Sequence, residues 1–110
     1  MNKLLTKKQE QQLINAYKNN LKINYKPKVF AKLFNPTGAG TWYLVEYNPE
    51  SNYFFGLVHI HEWDLGYIYL DEIEKFRGQF GLGIERDKYF SPKPLKQIQE
   101  EIGFTTYTYS

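Results

Sequence analysis

The 110-residue chain reads as an α+β protein, with an antiparallel β-meander sheet of four to five strands, an N-terminal helix, a short middle helix and a C-terminal helix. Three observations predict this class. Apolar residues recur at helical spacing near the N-terminus. Short β-branched and aromatic runs, divided by turn residues, fill the middle. A second helical pattern, opened by a proline and closed by a glycine, lies near the C-terminus.

The first helix is expected in "LLTKKQEQQLINAYKNNL". Thr6 is an N-cap, and Gln9 three residues later completes a capping box. Leu13, Tyr17 and Leu21 fall at i, i+4 and i+8 with Ile14 beside them, forming one apolar stripe, while Lys7, Lys8 and Lys18 stay on the solvent side. Pro27 cannot continue a helix and biases Lys26 toward extended backbone. Residues 29–34 then read as a strand ended by Asn35 and Pro36, and 41–47 as a half-buried strand. After a turn at 48–52, strands are expected at 53–60 and 67–70, with a reversal at 61–66. Connections this short favour an antiparallel meander.

"LDEIEKFRG" (70–78) reads as a short helix with acids in its first turn, Lys75 and Arg77 in its last, and Gly78 at the stop. Residues 84–90 supply a last short strand. "SPKPLKQIQEEIG" (91–103) is the final helix, with Pro94 near its start and Leu95, Ile98 and Ile102 on one face. Residues 104–110 read as a frayed tail or an added edge strand. No repeat, low-complexity tract or linker interrupts the chain, so a single domain over 1–110 is expected.

Composition narrows the chemistry. Hydrophobic residues make up 42% and aromatics 18%, with ten tyrosines against one methionine. Some of those hydroxyls must reach water or a partner. The absence of cysteine excludes disulfides, thiol nucleophiles and thiolate zinc sites. The N-terminus shows no apolar signal-peptide region, and no stretch approaches the roughly 18 apolar residues of a membrane span. A cytoplasmic location without membrane contact is expected.

Net charge is +2, but it is laid out unevenly. Residues 1–35 carry eight lysines against one acid, Glu10, whereas residues 36–87 carry nine acids against Lys75, Arg77 and Arg86. Such a layout offers one surface for phosphates and another for a basic groove on a partner.

The candidate sites are few. His59 and His61 would share one strand face about 7 Å apart, but a metal needs three or four ligands, and Glu62 and Asp64 are not placed to complete the set. No metal site and no cofactor is expected. "NPTGAGT" and "GQFGLG" lack phosphate-loop and dinucleotide spacing, so their glycines read as turn formers. Asp71, Glu72 and Glu74 complement a helix N-terminus, and Glu85, Arg86 and Asp87 suit local ion pairing. Neither group has a nucleophile beside it, so no catalytic residue is assigned and the chain is read as a non-enzyme. Tyr25, Lys26, Lys28, Phe30 and Lys32 combine rings and charge in the manner of single-strand nucleic-acid binders.

The blocks "KLFNPTGAGTWYLVEYNPE", "FGL…DLGYIYLDEIE" and "GLGIERDKYFSPKPL" resemble the bacterial family called domain of unknown function 2958. The resemblance covers nearly the whole chain up to Leu95 and includes, among others, Lys32, Gly40, Trp42, Glu46, Gly66, Tyr67, Glu85, Arg86 and Asp87. It implies carriage on plasmids, conjugative elements and phages, and it implies no activity. "HIHEW" departs from the small or acidic segment usual there, so no role for His59 or His61 is inherited.

The expectation that follows is a binding protein that modulates a nucleic-acid-handling machine, most concretely an anti-CRISPR-like inhibitor of a host nuclease effector. Its partner would be a protein or nucleoprotein, met by an acidic zone of Asp71, Glu72, Glu74, Glu85, Arg86 and Asp87, with Trp42 beside the last three. The alternative is direct DNA or RNA binding in plasmid transfer or replication, through Lys7, Lys8, Lys18, Lys22, Lys26, Lys28 and Lys32.

Overall fold

The computed structural model describes residues 4–103. The tail expected at 104–110 lies outside them. Among the described residues, three α-helices and a five-stranded antiparallel sheet make an α+β fold, as the sequence predicts.

Helix α1 (Lys7–Asn19) opens with the predicted capping box. The Gln9 N–H donates to Thr6 Oγ1 at 3.0 Å and the Thr6 N–H donates to Gln9 Oε1 at 3.1 Å, satisfying two otherwise orphaned amides. Leu13 is fully buried, but the stripe stops at Tyr17: Leu21 is 96% exposed. The chain turns at Asn19–Asn20, where Lys22 N–H donates to Asn19 O, so Leu21 no longer shares the helix face.

The single strand expected at 29–34 is two. Strand β1 (Lys28–Val29) and strand β2 (Ala31–Phe34) part at Phe30. Val29 packs in one core cluster and Ala31 in another, although unbroken alternation would place both on one face. The break turns β1 away to a different partner.

Strand β3 (Thr41–Asn48) is the sheet's centre and is buried from Trp42 to Asn48. Strand β4 (Tyr53–His59) follows, then strand β5 (Trp63–Tyr69), seven residues long. The reversal expected at 61–66 is confined to Ile60–Glu62, because His59 pairs with Trp63, Leu57 with Leu65 and Gly56 with Gly66. Helix α2 (Leu70–Lys75) begins at the end of β5 and stops before Arg77. Strand β6 (Glu85–Arg86) returns to the far edge of the sheet beside β2, giving the order β5-β4-β3-β2-β6. Strand β7 (Lys93–Pro94) pairs with β1, and helix α3 (Leu95–Ile102) follows it directly.

Hydrophobic clusters cover both faces of the sheet. On one, Leu13 of α1 and Ile73 of α2 pack with Leu33, Trp42, Leu44, Phe54 and Ile68. On the other, Leu95 and Ile98 of α3 pack with Val29, Tyr43, Val45 and Leu57, as the helical spacing of Leu95, Ile98 and Ile102 predicts. This second cover is short. Beyond α3 the aromatic face of β4 and β5 is left partly open: Tyr67 is 69% exposed and Tyr69 52%.

One irregularity decides what that face carries. The register between β3 and β4 shifts between Leu44 and Glu46, so two β3 residues oppose Gly56. Val45 belongs to the α3-side cluster, and Glu46, paired with Phe55, lies on the same side. The bulge brings Tyr43 O so close to Gly56 that a Cβ there would collide with backbone, which is why glycine occupies the position.

Candidate binding groove

A cavity of about 980 Å³ lies where the open sheet face meets the 20–27 segment and α3. Its walls are aromatic and aliphatic: Tyr17, Tyr25, Tyr53, Phe55, Leu65 and Tyr67. Phe55 and Tyr67, directly opposite on β4 and β5, meet edge to face at 5.5 Å, and Tyr53 meets Tyr67 at 5.1 Å. Lys26 and Lys96 line the cavity too, from the 20–27 segment and from α3.

Glu46 is the acid of this site, 9% exposed among apolar neighbours. A carboxylate so placed needs donors. Asn20 Nδ2 donates to Glu46 Oε1 at 2.9 Å and the Tyr25 hydroxyl donates to Glu46 Oε2 at 2.6 Å. Burial, then the hydrogen bond to Glu46 and its charge, push the Tyr25 hydroxyl well above the usual phenol range. It therefore remains a donor at any physiological pH. These two bonds tie the 20–27 segment to the centre of the sheet and form one wall of the groove. Tyr17, on the same wall, accepts from Asn48 Nδ2 at 3.0 Å.

The sequence-predicted sites fare differently. Asp71, Glu72 and Glu74 are all exposed on α2, and Glu85 is exposed on β6. Arg86 and Asp87 are tied into the fold: Arg86 Nη1 donates to Leu4 O at 2.9 Å, and Asp87 accepts from the Tyr89 N–H and lies 3.8 Å from Lys32 Nζ. Trp42 is 5% exposed and packs edge-on against Phe76, so it offers no recognition surface beside that triplet. The cause is register: Trp42 and Arg86 both pair with Leu33, whose face is covered by α1.

Lys7, Lys8, Lys18, Lys22, Lys26 and Lys28 are exposed. Lys32 is half-buried between Asp87 and the Tyr43 ring, 5.6 Å from its centroid. Of the seven lysines, Lys26 reaches the groove, with Lys22 on the same segment and Lys28 opening β1 just after it. His59 ends β4 and meets the Trp63 ring at 4.7 Å in a tilted arrangement, while His61 lies in the reversal, so the two imidazoles do not share a strand face. Among the described residues no group of three or more His, Asp or Glu could hold a metal ion. Gly40 and Gly81 take positive φ in turns.

Sequence reasoning missed Glu46 as a site residue. The signal was present: an acid inside the apolar run "TWYLVEY" must have buried donors or a ligand.

Fold and groove together define a small α+β protein with an aromatic recess around one buried carboxylate. The chain belongs to the family described as Protein of unknown function (DUF2958), whose model matches residues 4–100. No curated protein and no solved structure matches it. No helix among the described residues is long and apolar enough to cross a membrane.

Proposed function

We propose that this protein is a non-enzymatic binding protein that holds single-stranded nucleic acid in the groove between the 20–27 segment, the β4–β5 face and α3. The observation that carries this reading is the pairing of aromatic rings with lysines around one recess: the exposed Tyr67 and the half-buried Tyr53 and Phe55 with Lys26 and Lys96. Bases stack on such rings whatever their identity, and lysines neutralise the phosphates that follow. The groove gathers part of the lysine-rich N-terminal region and adds stacking surface from the sheet.

The test is retention of end-labelled single-stranded oligonucleotides by the isolated protein across a salt series. Binding should weaken steeply with salt, and Lys26→Glu with Lys96→Glu should flatten the dependence. Tyr67→Ala removes an exposed stacking ring and should cost ~1–3 kcal/mol of binding. Wild-type protein that retains no oligonucleotide at low salt refutes the reading.

A second reading is favoured by Asp71, Glu72 and Glu74, three carboxylates exposed within four consecutive residues of α2. They suit an anti-CRISPR-like inhibitor docking on the basic groove of a host nuclease effector, in keeping with the mobile-element habitat that the resemblance implies. Reversing these three acids to lysine would then slow association with a nuclease effector from the host, most of all at low salt. Reversing Lys26 and Lys96 would leave that association unchanged.

A further inference from the structure

The groove holds one feature that stacking and phosphate contacts leave unused, the carboxylate at its base. Glu46 lines the cavity while two protein donors already hold it, Asn20 on one oxygen and Tyr25 on the other. An ionised carboxylate offers about four lone-pair sites. Each oxygen therefore can accept one further hydrogen bond. Asn20 and Tyr25 hold both oxygens, so the carboxylate is oriented before any ligand arrives.

Such a group discriminates among bases by their Watson–Crick edges. Guanine presents two adjacent donors, N1–H and the exocyclic N2 amine. Adenine and cytosine each place an amine beside a ring-nitrogen acceptor, and thymine places its single N3–H between two carbonyls. Any of these three sets an acceptor lone pair against a carboxylate oxygen, which is repulsive and leaves a buried acceptor unpaired.

Resting on the nucleic-acid reading above, we infer that the groove is a guanine-selective pocket, in which Glu46 accepts from N1–H and N2–H of a base stacked on Tyr67. The exposed Tyr67 ring of β5 supplies the stacking platform. Lys26 and Lys96 take the flanking phosphates. Glu46 is the specificity-determining residue, and Asn20 and Tyr25 are positioning residues that act through it. Among the described residues lining the cavity, Glu46 is the only acid, so no second carboxylate repels the phosphates.

The experiment is fluorescence anisotropy at low salt with end-labelled oligothymidine strands carrying one central guanine, inosine, adenine or thymine. The guanine strand should bind roughly tenfold to a hundredfold more tightly than the thymine strand, the range that a bidentate base contact supplies. Inosine lacks the N2 amine and should lose most of that advantage. This arm needs no protein variant. Glu46→Gln keeps the side-chain shape but replaces one acceptor by a donor, and should bring the four strands to within a few-fold of one another. Tyr67→Ala should weaken all four together. If the wild type binds all strands equally and Tyr67→Ala weakens them in common, the guanine preference is overturned and the nucleic-acid reading stands. A guanine preference that survives Glu46→Gln also overturns it. If the wild type binds none of the strands, both fall.

Discussion

Removing the Tyr25 hydroxyl isolates the bond that holds one wall of the groove. In Tyr25→Phe, Glu46 loses its 2.6 Å donor and keeps Asn20 at 2.9 Å. A hydrogen bond to a charged acceptor contributes ~1.5–3 kcal/mol. Tyr25 is only half-buried, so water replaces part of what is lost, which places the cost near the low end, about 1.5 kcal/mol. Glu46→Gln retains one acceptor and should cost about 1 kcal/mol. Because the two groups touch, the double variant should lose less than the sum, with a coupling of about 1 kcal/mol. Urea unfolding of the four proteins, followed by circular dichroism, measures this directly, provided the dependence on denaturant stays constant. Coupling below ~0.3 kcal/mol would mean that the hydroxyl and the carboxylate do not interact in solution. The pH dependence supplies an independent arm. The Tyr25 pKa is raised in the folded state, so its contribution is complete below the unfolded value of about 10 and is lost as pH rises through the folded one. The stability difference between wild type and Tyr25→Phe should therefore hold steady to about pH 10 and shrink above it.

Three further outcomes are expected. Gly56→Ala should destabilise by ~2–3 kcal/mol, since the added methyl meets the Tyr43 carbonyl inside the bulge; a thermal melt within a degree of wild type would show that the bulge is not formed. Thr6→Ala should cost ~1 kcal/mol by opening the capping box, and amide exchange should rise first at Gln9 and its neighbours. With Trp63 replaced by Phe, the remaining Trp42 should emit as a buried indole and resist iodide quenching, because it is 5% exposed against Phe76.

Local chemistry was legible in the chain. The Thr6 and Gln9 pairing, the Leu95, Ile98 and Ile102 face, and the aromatic runs of β3 and β4 each depend on neighbours within one or two turns or along one strand. Sequence spacing reports such neighbours directly. The errors fall where a distant partner intervened. Leu21 left the stripe as the chain turned into the segment held by Glu46. Phe30 broke a strand because β7, more than sixty residues on, takes β1 as its partner. Arg86 and Asp87 looked free for recognition until Leu4, Tyr89 and Lys32 were placed around them.

The sequence by itself determined the α+β class, the meander and the uneven division of charge, because periodicity and composition act over a few residues. The groove was decided by tertiary structure alone. Strict alternation would have turned Glu46 toward α1 with Leu44, and only the extra residue at the bulge carries it to the face of Phe55. Its donors, Asn20 and Tyr25, lie 26 and 21 residues away in sequence, and the aromatic and lysine residues around it come from five separate segments. No local pattern encodes a meeting of that kind, since each residue obeys its own element and the site exists only where the elements pack.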